Sequence, residues 1–358
     1  MSYTRKDNEA IESNISSAPI KEKADTSNLP APEFSLEQAA SVTDPNKPTL
    51  SIPEIVDKVS PATVSIFIMG SVEGQADMPI SSGSGFIITD DGYIVTNAHV
   101  IDSVYENNKL HVTVDIPGHD KNIDATIIGK DIQTDIAVLK LNEDGPYPVV
   151  VLGDSDTIQV GELVVAIGNP LGTLQGTVTA GVVSAVDREM NNNGYGMELL
   201  QTDASINQGN SGGPLINSFG EVIGVTNAKM GSAEGLGFAI PITSVKFVIE
   251  SIINYGQVIG RTYLGISVRT VEDNAYHGAK GGVYVAEIAD GGPGSKAGFQ
   301  LGDRIISMDG VEINKSNDII DVRDSHNVGD VVTFVVERDD KTVEIELTIG
   351  DSSEANES

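Results

Sequence analysis

The 358-residue chain contains no cysteine. Its absence excludes a disulfide framework, a thiolate metal site and a cysteine nucleophile. It does not decide the cellular compartment, because a chain without cysteine avoids mispairing in oxidising surroundings and is equally compatible with the cytosol.

Long apolar runs are also missing. No stretch reaches the roughly 18 residues of a membrane-spanning helix, and the first residues, MSYTRKDNEAIES, lack the apolar core of a signal peptide. We therefore expect a soluble chain that associates with a membrane only through an anchor absent from this sequence.

Basic and aromatic residues are scarce. Lys and Arg number 22 against 52 Asp and Glu, which gives a net charge of -30. Because no basic face is left to neutralise phosphates, nucleic acids and anionic lipid surfaces are not expected partners. The chain has 38 Gly but only 8 Phe and 9 Tyr, a composition that favours tight turns and mainly β structure.

Residues 1–50 are polar, carry charges of both signs and show no sustained apolar period. Such a segment cannot bury enough surface to order itself, so a disordered tail or linker is predicted. Beyond it, Ile55, Val56 and Val59 lie at helical spacing before Pro61, which predicts a short amphipathic helix from about Ile52.

Residues from about 62 to 240 contain short β-type runs separated by Gly and Asp/Asn turns, among them ATVSIFIMG, GSGFIITDDGYIVTN, IAVLKL, ELVVAIG and GLGFAIP. Asp-Gly within ITDDGYI predicts a hairpin. Because strand follows strand with no helix between, the pattern favours antiparallel barrels or a sandwich over a βαβ sheet. Helical spacing from Thr243 to Tyr255 predicts a helix that closes a first domain over residues 51–256.

A second, smaller unit is predicted over residues 261–350. Short strands such as YLGISV and VVTFVVER accompany one helical stretch after Ser316, in which Ile319, Val322 and Arg323 share a face. About 90 residues suffice for an independent small α+β fold. Residues 351–358 are expected to form a frayed acidic tail.

Ser211 lies in the segment QGNSGGPL, enclosed by Gly209, Asn210, Gly212 and Gly213. Glycine permits backbone conformations closed to other residues, so the N–H groups of Gly209 and Ser211 can point at one spot beside the hydroxyl and form an oxyanion hole. The motif alone does not suffice, because Gly and Ser are ordinary turn residues.

Two other segments give the serine its partners. TNAHV places His99 at the end of a strand, and TDIAVLKL places Asp135 at the head of an apolar strand. The order His, Asp, Ser is one of the known triad orders. A serine hydroxyl needs a base to remove its proton, and an imidazole oriented by a carboxylate can do so near neutral pH. We therefore predict Ser211 as nucleophile, His99 as general base and Asp135 as the residue that orients the base.

GNSGG also satisfies the G-x-S-x-G pattern of the α/β-hydrolase elbow. That elbow lies between a strand and a helix, and its histidine follows the serine. Here PLINSFGEVIGVTNA after Ser211 indicates two strands and a turn, and the later histidines, His277 and His326, lie in the second unit. The pattern therefore favours the chymotrypsin-like arrangement.

Together with LGDSDTIQVGE, AIGNPLG, GVVSA and QTDASIN, these motifs resemble the HtrA/Deg family of bacterial and organellar serine proteases over about residues 50–350. The resemblance implies a mainly β chain in which a chymotrypsin-like double β-barrel precedes one small α+β PDZ domain. It carries the catalytic residues over to His99, Asp135 and Ser211 and the oxyanion-hole loop to Gly209, Asn210 and Ser211. It also implies a homotrimer, by analogy only.

The resemblance further implies which residues contact a substrate. Ser205 and Ile206 should line the primary specificity pocket, and the strand near Asn227 and Lys229 should pair with the substrate backbone. Because no acidic residue falls at the pocket position, cleavage after small to medium apolar residues is expected rather than cleavage after Lys or Arg.

In the second unit, TYLGISV and SKAGFQLGDRIISMDG resemble a PDZ domain. The loop formed by Tyr263, Leu264, Gly265 and Ile266 would offer backbone N–H groups to the terminal carboxylate of a peptide, and the next strand would pair with that peptide.

These implications define the expected function, a serine endopeptidase for unfolded or damaged proteins in the bacterial cell envelope or outside the cell, with a PDZ domain that binds peptide C-termini for recruitment or activation. No metal or organic cofactor is expected, because the five histidines are dispersed and GSGF and GNPLG lack the strand–helix context of a nucleotide loop. The alternative is a chaperone or peptide-binding scaffold whose protease domain is largely silent.

Overall fold

The computed structural model describes residues 32–36, 47–71, 77–107, 109–168, 176–192, 195–207, 209–228, 235–271 and 280–352. Over these ranges the chain forms two closed β-barrels and a smaller sheet unit. The prediction of a mainly β chain with a double barrel is therefore confirmed.

The first barrel has six antiparallel strands in the order β1-β2-β3-β6-β5-β4. Their bounds are β1 (Thr63–Gly70), β2 (Met78–Ile87), β3 (Tyr93–Asn97), β4 (His111–Asp115), β5 (Ile123–Asp131) and β6 (Ile136–Leu141). The predicted Asp-Gly hairpin joins β2 and β3, and Gly92 at this turn has a positive φ of 97°, which glycine adopts without steric cost.

The second barrel repeats this plan in the order β10-β11-β12-β9-β8-β7. Its strands are β7 (Leu163–Gly168), β8 (Thr177–Asn192), β9 (Tyr195–Thr202), β10 (Pro214–Asn217), β11 (Val222–Thr226) and β12 (Gly237–Pro241). The two strands and the turn expected after Ser211 correspond to β10 and β11. Strand β9 was not anticipated from the sequence.

One apolar cluster joins the barrels. Phe86 and Val95 of the first barrel and Val165 and Val225 of the second belong to it, and all four are fully buried. Separate clusters fill each barrel interior. Because packed interiors transmit strain and tolerate little displacement, the shared cluster fixes the two barrels relative to each other.

Two helices cover this shared core, and both were predicted. Helix α1 (Ile52–Val59) buries Ile55 and Val59, and a capping box between Ser51 and Glu54 starts it. A second predicted helix, Ile242–Tyr255, buries the expected apolar face and ends at Gly256 in the left-handed region; the buried positions include Val245, Val248, Ile249 and Ile252.

A further helix, α2 (Ala98–Glu106), was not predicted. The sequence placed His99 at a strand end, whereas the structure places it in the first turn of α2, directly after β3. Lys130 of β5 forms an ion pair with Asp102 of α2 at 2.7 Å. We number the helix Ile242–Tyr255 as α3.

Residues 32–36 belong to the segment predicted to be a disordered tail or linker, but in the structure they pack on α3. The Asn254 side chain accepts the N–H groups of Glu33 (3.0 Å) and Phe34 (2.9 Å) and donates to the Phe34 carbonyl (2.9 Å). Leu36 is buried in the shared core, and its N–H donates to Glu250 at 2.7 Å. A five-residue segment has no periodicity, so its sequence could not show that α3 supplies these partners.

The third unit begins at β13 (Thr262–Tyr263), which pairs with β20 (Gly350–Asp351) and so brings the ends of the unit together. Its main sheet has the order β14-β15-β16-β18-β19, with β17 paired to β16. The remaining elements are β14 (Ile266–Val271), β15 (Gly282–Ile288), β16 (Arg304–Met308), β17 (Val311–Glu312), β18 (Val331–Arg338), β19 (Lys341–Thr348), α4 (Pro293–Ala297) and α5 (Ser316–Asp324). Helix α5 is the one expected after Ser316.

Arg261 links the third unit to the first barrel. Its guanidinium donates to Asp131 at 2.9 Å and to Gln133 at 3.1 Å. The carboxylate of Asp131 also accepts the backbone N–H of Thr134 at 3.0 Å, so this ion pair lies at the turn that leads to Asp135.

The packing of residues 32–36 generates a prediction about stability. Leu36→Ala should lower the free energy of unfolding by about 2 kcal/mol, because the change removes buried methyl groups and leaves a cavity in the shared core. Urea unfolding measures this change. Leu236→Ala is the matched control, since Leu236 is 42 % exposed, and it should stay within about 0.5 kcal/mol of the parent. Equal stability of both variants would contradict the docking of this segment.

Candidate active site

Ser211 lies in the tight turn that precedes β10, at the junction of the barrels. Gly212 has a φ of 83°, and a Cβ at this position would collide with the Ser84 carbonyl and the Thr96 hydroxyl of the first barrel. Only glycine fits both the backbone conformation and this close approach. The turn is thereby pressed against β2, whose Ser84 N–H donates to the Ser211 carbonyl at 2.9 Å.

The three residues predicted to form a triad lie together. The distance from His99 Nε2 to Ser211 Oγ is 3.0 Å, and the distance from His99 Nδ1 to Asp135 Oδ2 is 2.7 Å. Both fall within hydrogen-bonding range. The arrangement can pass a proton from the hydroxyl to the imidazole while a carboxylate holds the opposite ring nitrogen, as nucleophilic catalysis by serine requires.

Asp135 is positioned by its own backbone. Its φ is 55°, in the left-handed region that aspartate adopts more readily than most residues. The carboxylate is buried, and its Oδ1 atom accepts the backbone N–H of His99 at 3.0 Å. Its own carbonyl oxygen accepts the N–H of Ala98 at 3.0 Å. These two hydrogen bonds connect the turn before β6 to the start of α2.

Two buried asparagines contact Asp135 and Ser211. Asn227 Nδ2 donates to Asp135 Oδ2 at 2.9 Å, and Ser211 Oγ donates to Asn97 Oδ1 at 3.0 Å. The sequence predicts that the strand near Asn227 pairs with the substrate backbone, and the structure adds a contact of the Asn227 side chain with Asp135. In the sequence, Asn97 stands out only as part of the TNAHV motif, and no pattern in the chain predicts its contact across the barrel junction.

The oxyanion loop is held by Asn207. The Gly209 N–H donates to Asn207 Oδ1 at 3.0 Å, and the Ser211 N–H donates to the Asn207 carbonyl at 3.2 Å. Both donors predicted for the oxyanion hole are therefore engaged within the loop. A substrate carbonyl oxygen must replace Asn207 as their acceptor before they stabilise a negative charge.

Asn210, the third predicted member of this loop, is fully buried and turned inward. Its Oδ1 atom accepts the Asn207 N–H at 2.8 Å, and its Nδ2 atom donates to the Ser205 carbonyl at 3.0 Å. The Thr226 hydroxyl donates to the Asn210 carbonyl. Asn210 therefore shapes the loop from inside.

Of the residues predicted to contact a substrate, Ser205, Ile206 and Asn227 lie within the described ranges. Ser205 is exposed, and Ile206 is half-buried against the second-barrel core. A Cβ on Gly237 of β12 would lie 2.6 Å from Ile206 Cγ1, so Ile206 closes the space beside this strand. Lys229 lies outside the described residues.

The predicted carboxylate loop of the third unit lies at the start of its main sheet. Tyr263 pairs with Gly350, Leu264 is buried in the core of the unit, and Gly265 has a φ of 68°. The half-buried Ile266 opens β14, which is the edge strand of the sheet in the described part of the chain. An edge strand beside a helix can accept an extended peptide.

Within the described ranges, no group of three or more His, Asp and Glu side chains is arranged to hold a metal ion. None of the described helices has both the length and the apolar character of a membrane span.

Family models match both parts of the chain. A trypsin-like peptidase domain matches residues 83–225, and a PDZ domain matches residues 262–349. The prediction of a PDZ domain after the double barrel is confirmed.

Individual relatives agree with these models. The chain is 35 % identical over 338 residues to the serine protease Do-like HtrA of Bacillus subtilis, covering 85 % of this chain and 73 % of that protein. It is 39 % identical over 275 residues to a periplasmic DegP-like serine endoprotease of Chlamydia trachomatis, covering 75 % of this chain but only 53 % of that protein.

Among solved structures, the HtrA-type protease AlgW with a decapeptide superimposes with a TM-score of 0.68 at 31 % identity, covering 84 % of this chain and 99 % of the other. A relative at 35 % identity is covered over 73 % of its length, and models of a trypsin-like peptidase domain and a PDZ domain both match. The chain therefore belongs to the HtrA family and is a serine endopeptidase.

Proposed function

We propose that this protease cleaves unfolded or damaged proteins outside the cytoplasm, with Ser211 as nucleophile, His99 as general base and Asp135 as the orienting carboxylate. The observation that carries the proposal is the hydrogen-bonded chain from Ser211 Oγ through His99 to Asp135, with distances of 3.0 and 2.7 Å. An extended, unfolded segment fits such a site because its scissile carbonyl can reach the serine.

The PDZ domain is proposed to bind peptide C-termini for recruitment or activation. Strand β14 pairs with β15 on one side, and α5 contacts it. A peptide can add to this strand by backbone hydrogen bonds, with Ile266 and Val268 contributing apolar contacts from the core side. The solved structure of AlgW with a decapeptide supports peptide binding by an HtrA-type protease.

Cleavage after small to medium apolar residues is proposed because Ser205 and Ile206 would line the primary specificity pocket. Neither side chain carries a negative charge to bind Lys or Arg, and Ile206 limits the depth of the pocket beside Gly237. An apolar wall rewards burial of a matching apolar side chain.

An extracytoplasmic location is proposed because a DegP-like relative at 39 % identity is described as periplasmic. The absence of cysteine is compatible with this location and equally with the cytosol. A homotrimer is proposed from the family, with membrane association only through an anchor. Partners would be unfolded proteins and peptide C-termini, not nucleic acid, because the net charge is -30.

The cleavage proposal is tested with β-casein, an unstructured substrate. Wild-type protein should degrade it, and Ser211→Ala should lose at least about 10³-fold of the rate, because removing the nucleophile leaves only binding and residual electrostatic catalysis. Gel analysis of fragments measures the rate, and a fluorophosphonate probe should label only the wild type. Equal cleavage by both proteins would overturn the proposed role of Ser211.

A second candidate function is a chaperone or peptide-binding scaffold with a largely silent protease domain. The engagement of Gly209 and Ser211 N–H groups by Asn207 favours it, because an occupied oxyanion hole slows attack. The same geometry suits a regulated protease in its resting state, so the two candidates differ in whether the loop can be released.

Asn207→Ala separates them. Removing the side-chain acceptor frees the Gly209 N–H from a hydrogen bond worth about 1 kcal/mol, so kcat for β-casein should rise about fivefold if the loop is a releasable brake. Ser211→Ala in the same background should abolish the gain. Unchanged, negligible cleavage by Asn207→Ala, together with suppression of aggregation by the parent, would support the scaffold instead.

Peptide binding to the PDZ domain is expected to accelerate cleavage. A library of peptides with free C-terminal carboxylates and apolar last residues should stimulate β-casein degradation, and the same library with amidated C-termini should not, because backbone N–H groups bind the carboxylate. Initial cleavage rates measure the effect. Equal stimulation by both libraries would contradict carboxylate recognition.

A further inference from the structure

Two asparagines are buried at opposite ends of the triad. Asn97, the last residue of β3, is 0 % exposed, and Asn227, which follows β11, is 1 % exposed. Burying an amide is costly unless its polar atoms are hydrogen-bonded. Each of these amides meets part of this requirement with a hydrogen bond to one of the three predicted catalytic residues.

Asn227 acts on the carboxylate end. Its Nδ2 atom donates to Asp135 Oδ2 at 2.9 Å, the same oxygen that faces His99 Nδ1 at 2.7 Å. Its backbone N–H donates to the Phe238 carbonyl at 2.9 Å, which anchors the residue to β12. A donor on this oxygen withdraws part of the negative charge that otherwise stabilises a protonated imidazole.

Asn97 acts on the nucleophile end. It occupies the N-cap position of α2, where asparagine commonly caps the helix, yet its side chain makes no capping hydrogen bond. Instead Oδ1 accepts from Ser211 Oγ at 3.0 Å, and Nδ2 donates to the Asp135 carbonyl at 3.2 Å. The second contact fixes the orientation of the amide, because the reverse orientation would place two carbonyl oxygens together.

The Ser211 hydroxyl therefore has two acceptors for one proton, His99 Nε2 and Asn97 Oδ1. When His99 is neutral, the two compete for this proton. When His99 is protonated, its Nε2–H donates to Ser211 Oγ, and the hydroxyl proton then needs Asn97 as its acceptor. Asn97 thus favours the protonated, inactive state of the triad.

We propose that Asn97 and Asn227 are positioning residues that set the pH range of this protease in opposite directions, Asn97 by accepting the proton of Ser211 and Asn227 by donating to Asp135. This inference rests on the proposed roles of Ser211, His99 and Asp135 and is independent of the physiological substrate. Ionisable side chains on the elements around His99 include Asp135, Asp102 and Tyr105. Asp102 is paired with Lys130 at 2.7 Å, and burial raises the pKa of Tyr105 to about 12, so the tyrosine stays neutral in the working range.

The test is the rate constant for labelling of Ser211 by a fluorophosphonate probe from about pH 5 to pH 9, the range in which a histidine-dependent reaction changes. Asn97→Ala should move the midpoint of the acid limb down by about half a pH unit, because the protonated state loses an acceptor. Asn227→Leu should move it up by a similar amount, because Asp135 loses a donor and holds the protonated imidazole more tightly.

Two further variants apply the same test if these variants fold poorly. Asn97→Asp retains an acceptor oxygen toward Ser211 and adds a negative charge near His99, so it should raise the midpoint above that of the wild type. Asn227→Ser retains a short donor and should move the midpoint back toward the wild type relative to Asn227→Leu. A thermal melt of each variant verifies that it is folded.

Asn217→Ala is the matched control. Asn217 is also a buried asparagine of the second barrel, but its side chain contacts Glu221 and Phe219, so its loss should lower stability and leave the midpoint in place. Unshifted midpoints, or shifts of the same sign for Asn97→Ala and Asn227→Leu, would overturn the proposal. Absence of labelling of the wild type at every pH would instead contradict the role of Ser211, whereas failure to cleave β-casein with normal labelling would contradict only the proposed substrates.

Discussion

The close contact between the two barrels is the constraint on which the site depends. His99 and Asp135 belong to the first barrel, whereas Ser211 belongs to the second. Contacts between the barrels hold the three residues together. Ser84 donates its N–H to the Ser211 carbonyl and its hydroxyl to the Gly209 carbonyl at 2.8 Å, and the shared apolar cluster packs the two barrels against each other. Because interiors are closely packed, this junction fixes distances that a free pair of domains would not keep.

The junction also explains why small and polar residues concentrate there. Gly212 has no room for a side chain against Ser84 and Thr96. Asn97 and Asn227 fill the remaining space with amides, which can donate and accept at once. An apolar residue of similar size in place of Asn227 would leave the buried Asp135 carboxylate with fewer partners, which is unfavourable for a charge. The chemistry of the triad and the packing of the barrels are therefore served by the same residues.

The loop of Asn207 and the PDZ domain both bear on how the activity of the protease is controlled. Asn207 accepts hydrogen bonds from both N–H groups that are predicted to form the oxyanion hole, so the proposed catalysis requires a change in the loop. The PDZ unit is joined to the first barrel through Arg261 and Asp131, four residues before Asp135. The proposed action on unfolded chains would require such restraint. Restraint by a few hydrogen bonds is easily reversed, because each contributes only about 1 kcal/mol.

Local patterns in the sequence predicted most of the secondary structure wherever a run of apolar residues or a helical repeat was clear. Short apolar runs between Gly and Asp/Asn turns predicted most barrel strands, which are buried along most of their length. Helical spacing predicted α1, α3 and α5, because burial of one helix face repeats apolar residues at the helical period. Helix α2 and β9 were missed. The dock of residues 32–36 was missed as well, because its hydrogen-bond partners, Asn254 and Glu250, lie more than two hundred residues away in the chain.

The candidate site divides in the same way. The motifs around His99, Asp135 and Ser211 predict a triad because serine catalysis requires these side chains in one of a few known orders, and the structure brings the three together. Tertiary structure alone decided three further contacts: that of Asn227 with Asp135, that of Asn97 with Ser211 and those of Asn207 with the predicted oxyanion loop. Each depends on where a side-chain amide points once two barrels meet, and that direction is set by distant packing rather than by neighbouring residues.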